Sequence, residues 1–143
     1  MSASLVPRAW LGIAVALVAG ASQAATDGAL AQQCFESVAK LYRDSWPDGV
    51  TDDGTSKVRF ESHYNSQLGE CLYLETVSGL TRSPALDRIL PRTRQRLRDV
   101  DENRTLGKFD RWDDMAPITC WVQGQECGSA GEWQQLIDPY LQN

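Results

Sequence analysis

The sequence predicts an α+β domain, a small and mostly antiparallel sheet with an N-terminal and a C-terminal helix packed on it and two disulfides tying the layers together. Three observations lead there. Apolar residues recur at helical spacing near both ends of the chain, and the middle alternates with period two between clusters of turn formers. The four cysteines are spread over all three regions, at Cys34, Cys71, Cys120 and Cys127. Helix, several short strands, helix is the order of a domain whose helices cover an antiparallel sheet.

Residues 1–24 read as a secretory leader, and residues 25–143 as a single domain. Arg8 supplies a positive start, Trp10 to Ala21 an apolar run, and Ala-Ser-Gln-Ala the small residues of a cut after Ala24. That run is shorter than the roughly 20 residues a membrane span needs, so no transmembrane segment is expected after cleavage. The formal charge of −5 lacks the basic footprint of a nucleic-acid binder.

From Thr26 to about Trp46, Leu30, Cys34, Val38, Leu41 and Tyr42 share one helical stripe, with Gln32, Gln33, Glu36, Lys40 and Arg43 opposite. Pro47 and Gly49 end the helix, and a loop rich in Asp, Gly, Thr and Ser follows. Val58, Phe60, Ser62 and Tyr64 alternate with Arg59, Glu61 and His63 as a strand. Asn65 to Gly69 is a turn, and Cys71 to Val77 a second strand, apolar on both faces and expected to be covered on more than one side. Ser83 and Pro84 have the character of a helix N-cap and first helical residue. Pro91 would cost about 3 kcal/mol inside a continuing helix, so the expectation is a short helical turn to Leu90. A strand from Arg94 to Val100, a turn at Asp101–Arg104 and a strand from Thr105 to Phe109 follow, although residues 91–100 also carry a helical stripe.

Asp110 to Pro117 reads as a polar loop and Ile118 to Val122 as a short strand. Gln123 to Gly128 is then a loop closed by a disulfide. The last element is a helix: Ser129 and Glu132 have capping-box spacing, and Trp133, Leu136, Ile137, Tyr140 and Leu141 form its stripe. An even cysteine count in an exported chain points to disulfides. The favoured pairing is Cys34–Cys71 with Cys120–Cys127, one long and one short loop, contributing on the order of 4 and 2.5 kcal/mol on chain-entropy grounds.

Candidate sites are few. His63 is suited to acid–base chemistry, with Glu61 or Glu75 as its carboxylate; a small hydrolase is the alternative this suggests. Ser62 cannot serve it, since strand neighbours point to opposite faces. Asp99, Asp101, Asn103, Thr105, Gly107 and Asp110 follow the spacing of a calcium loop, which makes a calcium-stabilised module a further alternative, although the sixth position is Arg104, where the EF-hand needs glycine. A metal site on the cysteines lacks paired CxxC spacing and has one His to draw on, and no cofactor motif stands out. The basic run is the stronger candidate. As a strand, Arg92, Arg94, Arg96 and Arg98 project from one face and suit an anionic partner. Trp112 and Trp46 fall in loops, where Trp112 joins the arginines as a binding residue, whereas Trp121 and Trp133 read as core.

Tyr64-Asn65, Leu68, Cys71 and Glu75, followed by Leu97, Asp99-Val100, Glu102-Asn103, Gly107 and Phe109, resemble a pattern in small exported bacterial proteins of unassigned activity. The resemblance covers about fifty residues and implies a periplasmic or secreted bacterial setting, with no catalytic residue to carry over. The reading at this stage is a binding or accessory protein, inhibitor-like, that recognises an envelope component or another secreted protein.

Overall fold

The structure, a computed structural model, describes residues 20–142, with side chains from Thr26 onward. Most of the leader lies outside these residues, and the cut after Ala24 falls within the first helix. That helix, α1 (Gly20–Ser45), is followed by six strands, β1 (Ser56–Asn65), β2 (Glu70–Ser83), β3 (Arg88–Asp99), β4 (Arg104–Trp112), β5 (Thr119–Val122) and β6 (Gln125–Glu126), and by α2 (Ala130–Leu141). Each strand pairs antiparallel with the next, so the sheet is a six-stranded meander. Among the described residues no helix is long and apolar enough to cross a membrane.

The register divides the sheet into an apolar and a basic face. His63 pairs with Leu72 and Glu61 with Leu74, while Tyr73 pairs with Arg98, Glu75 with Arg96 and Val77 with Arg94. Leu72, Leu74 and Leu97 therefore point one way, and join Leu106, Phe109, Cys120 and Val122 in a core closed by Trp133 and Ile137 of α2. The Trp133 ring stacks on Phe109 with centroids 5.6 Å apart. A side chain at Gly107 would meet the Trp121 carbonyl at 2.9 Å and the Trp133 ring at 3.2 Å; glycine is what lets the indole lie against the strand. A bulge between Leu97 and Arg98 accommodates the extra residue Leu106, which is buried.

Helix α2 begins as its sequence indicates. The Ser129 hydroxyl accepts from the Glu132 N–H, satisfying one first-turn donor, and the Glu132 carboxylate reaches one residue further back than in a capping box, accepting from Gly128 N–H at 2.6 Å. Its far end is tied to β1 by buried Asn65, whose amide donates to the carbonyls of Pro139 and Tyr140 while its oxygen caps the β1–β2 turn at Gln67 and Leu68. The other helix, α1, lies on the basic face mainly over β1 and β2. Cys34, Val38, Cys71 and Tyr73 form a second core there, with Phe60 and Tyr64 against it. The disulfides are Cys34–Cys71 and Cys120–Cys127, as expected.

Four local expectations fail: the loop read over residues 123–128 contains β6, which pairs back on β5, and three others fail each for an identifiable reason. No helical turn follows Ser83: β2 runs on to that residue, Pro84–Asp87 make the turn with Asp87 at φ 49°, and β3 starts at Arg88, so residues 91–99 are strand throughout. Pro91 is tolerated because its outer side lies beyond the end of β4, whose ladder begins at Arg92 opposite Trp112. No partner there needs its missing N–H; its carbonyl accepts from Asp113 instead. Second, Asp110 to Trp112 belong to β4 and are not a loop. Third, Trp121 is not core: Cys120 and Val122 on either side of it take the buried positions, which turns Trp121 to the basic face.

Candidate binding site

The arginine row of β3 does lie on one face, but its members have different tasks. Arg92 is committed to structure. Its guanidinium grips Asp110 through two hydrogen bonds, at 2.9 and 2.5 Å, and lies 4.7 Å above the Trp112 ring. The hydrogen bonds to Asp110 push the Arg92 pKa further up. Trp112, expected to be an exposed loop residue, is the buried end of β4. Neither Arg92 nor Trp112 is free to receive a partner.

Arg94 and Arg96 differ: neither makes an ion pair among the described residues. Arg96 is exposed and sits in register with exposed Lys108 of β4, which in turn sits opposite half-buried Trp121 of β5. Three cations and an indole thus occupy the half of the basic face that α1 leaves uncovered. Arg98, at the other end of the row, lies over the Tyr73 ring at 5.7 Å and hydrogen-bonds Asn103 in the β3–β4 turn. Its Nε is buried with no hydrogen-bond partner. Burial pushes the Tyr73 hydroxyl pKa up, and Arg98 opposes that shift.

Where the covered and open halves meet, a cleft of about 150 Å³ opens beneath the C-terminal end of α1. Val38, Leu41 and Tyr42 of the helix form one wall; Phe60, Tyr73, Glu75, Arg96 and Arg98 of the sheet form the other. The helix wall is pinned by the Tyr42 hydroxyl, which donates to the Val58 carbonyl at 2.7 Å, and by the Trp46 indole N–H, which donates to Glu75 at 3.1 Å. A second cleft, of about 110 Å³, continues past Trp46 and Glu75 to Val77 and Arg94.

The other candidates are taken apart by the register. His63 and Glu61 share the apolar face, whereas Glu75 lies on the basic face bonded to Trp46, so Glu75 cannot be the carboxylate of a His63 dyad. Neither His63 nor Glu61 lines either cleft. The calcium spacing does not become a loop, because Thr105, Gly107 and Asp110 are spread along β4. Asp99 is buried and accepts from the N–H groups of Asp101 and Glu102, and Asp110 serves Arg92. No cluster of three or more His, Cys, Asp or Glu suited to a metal occurs among the described residues.

The arginines are legible in the sequence, and the cleft is not. Trp46 was visible as a tryptophan at a helix end, but Tyr42, Tyr73 and Glu75 become a site only once α1 is placed on β2. Lys108 joins Arg96 through a hairpin register that the Leu97/Arg98 bulge offsets by one residue. No family model matches the sequence, and no curated protein or solved structure is detectably similar to it.

Proposed function

We propose that this chain is a binding or accessory protein of the periplasm or the cell exterior, which captures an acidic segment of another exported protein on the open half of its basic face. One observation carries the reading. In a chain of net charge −5, Arg94, Arg96 and Lys108 stand together without ion-pair partners among the described residues, on the half of the basic face that α1 leaves uncovered. Two adjacent guanidiniums suit bidentate capture of carboxylates, and half-buried Trp121 gives the patch an apolar neighbour of the kind interfaces favour. The two disulfides fit an oxidising compartment, in keeping with the leader read over residues 1–24.

The test is affinity capture from a cell-envelope extract with the disulfide-bonded protein as bait. The wild type should retain a specific acidic partner, and R94S/R96S/K108S should lose it with an unchanged melting temperature. Raising salt toward 1 M, where the screening length falls to about 3 Å, should release the partner. Undiminished capture by the triple variant overturns the reading.

A further inference from the structure

The cleft under α1 has a chemistry of its own. Its volume of about 150 Å³ is that of an apolar cavity able to take a benzene-sized group, and Val38, Leu41, Tyr42 and Phe60 supply such a lining. Its charged residues are two guanidiniums, Arg96 and Arg98, against one carboxylate, Glu75, an excess of a single positive charge. Glu75 is held by the Trp46 indole and forms no ion pair within 4 Å of either arginine. The buried Nε–H of Arg98 has no acceptor, and a buried donor left unmade is costly.

We infer that this cleft is a pocket for a small amphiphilic monoanion: one carboxylate on a ring-sized or branched-alkyl body, the body between α1 and Phe60 and the carboxylate at Arg98 and Arg96. One negative charge balances the single excess positive charge of the cleft's charged side chains. The pocket shares Arg96 with the partner-binding face, but rests on Arg98 and the helix wall, whereas partner capture rests on Arg94 and Lys108.

The experiment is a calorimetric and NMR titration of the full disulfide-bonded protein with 3-phenylpropionate and, in parallel, with its neutral counterpart 3-phenylpropan-1-ol. The carboxylate should bind and shift the Trp46 indole N–H resonance, and the alcohol should bind about tenfold or more weakly, the loss expected when a charged hydrogen bond is removed. R98Q should reduce carboxylate binding by a similar factor. L41W, a change at a partly exposed position that fills the mouth, should abolish it, and this variant decides the matter if R98Q does not fold. Equal binding of acid and alcohol, no binding of the acid up to ~10 mM, or binding unaffected by L41W overturns the inference. R94S/K108S separates the two readings: it should abolish partner capture and leave phenylpropionate binding intact.

Discussion

The two faces of this sheet carry a helix and a disulfide each, yet they are finished differently. On the apolar face, α2 brings Trp133, 2% exposed, onto Phe109 and Gly107, and Ile137 is fully buried. On the basic face, α1 and its small core lie mainly over β1 and β2, and β3 to β5 present Arg94, Arg96, Lys108 and Trp121 beside it. A meander has two faces to cover and this chain has two helices. The core under α2 provides stability, and partial cover on the other side leaves a cleft edge and a free charged surface.

Breaking that contrast begins with the filled face. Trp133→Ala should cost on the order of 4 kcal/mol, the range for a fully buried aromatic, and lower the melting temperature by roughly 15 °C. Arg96→Ser on the opposite face should stay within about 0.5 kcal/mol of wild type. Comparable losses from the two substitutions in thermal unfolding would mean that the arginine row is structural after all.

The disulfides should cost at most about as much as Trp133→Ala, and in a definite order. Cys34–Cys71 spans 37 residues and Cys120–Cys127 spans 7, so removal by paired Cys→Ser changes should cost about 4 and 2.5 kcal/mol on loop-closure entropy. The measurement is urea unfolding of each double variant. The reverse order would place the greater strain or enthalpic role at the β5–β6 hairpin.

The smallest effect concerns the α1–β1 loop at the margin of the basic face. Asp53 has its pKa lowered to about 2, first by the Thr51 hydroxyl and then by the N–H and hydroxyl of Thr55. A carboxylate with a depressed folded-state pKa contributes stability above its ordinary value of 3.8, and that contribution is lost as pH falls toward 2. In an NMR titration the Asp53 carboxyl should show its midpoint near 2, and Thr51→Val should move it upward. An ordinary midpoint in the wild type would show that the loop does not hold Asp53 in solution.

The elements legible in the sequence were those whose signals are local. The α2 stripe and its Ser129/Glu132 cap, the alternation of β1 and the Asn65–Gly69 turn all depend on neighbours within a few residues. The failures depended on distant partners. Pro84 and Pro91 looked like helix punctuation, and only the length of β4 relative to β3 shows why a proline can end a ladder there. Trp121 looked like core beside Cys120, but period-two alternation puts one of any two strand neighbours on the other face. The arginine row was legible as chemistry, since its spacing needs only a strand. Which arginines are spent was not, because Asp110 and Trp112 reach Arg92 through the β3–β4 register.

The Cys34–Cys71 bond also acts as a check on strand registration. Cys71 faces α1 because β2 pairs with β1 as Tyr64 to Cys71 and His63 to Leu72. A slip of one residue would rotate Cys71 to the α2 side and send Leu72 outward, and Cys34 on the helix could no longer reach it. Oxidation thus fixes only the correctly paired hairpin, and misregistered chains keep two thiols that remain open to exchange until the strands realign.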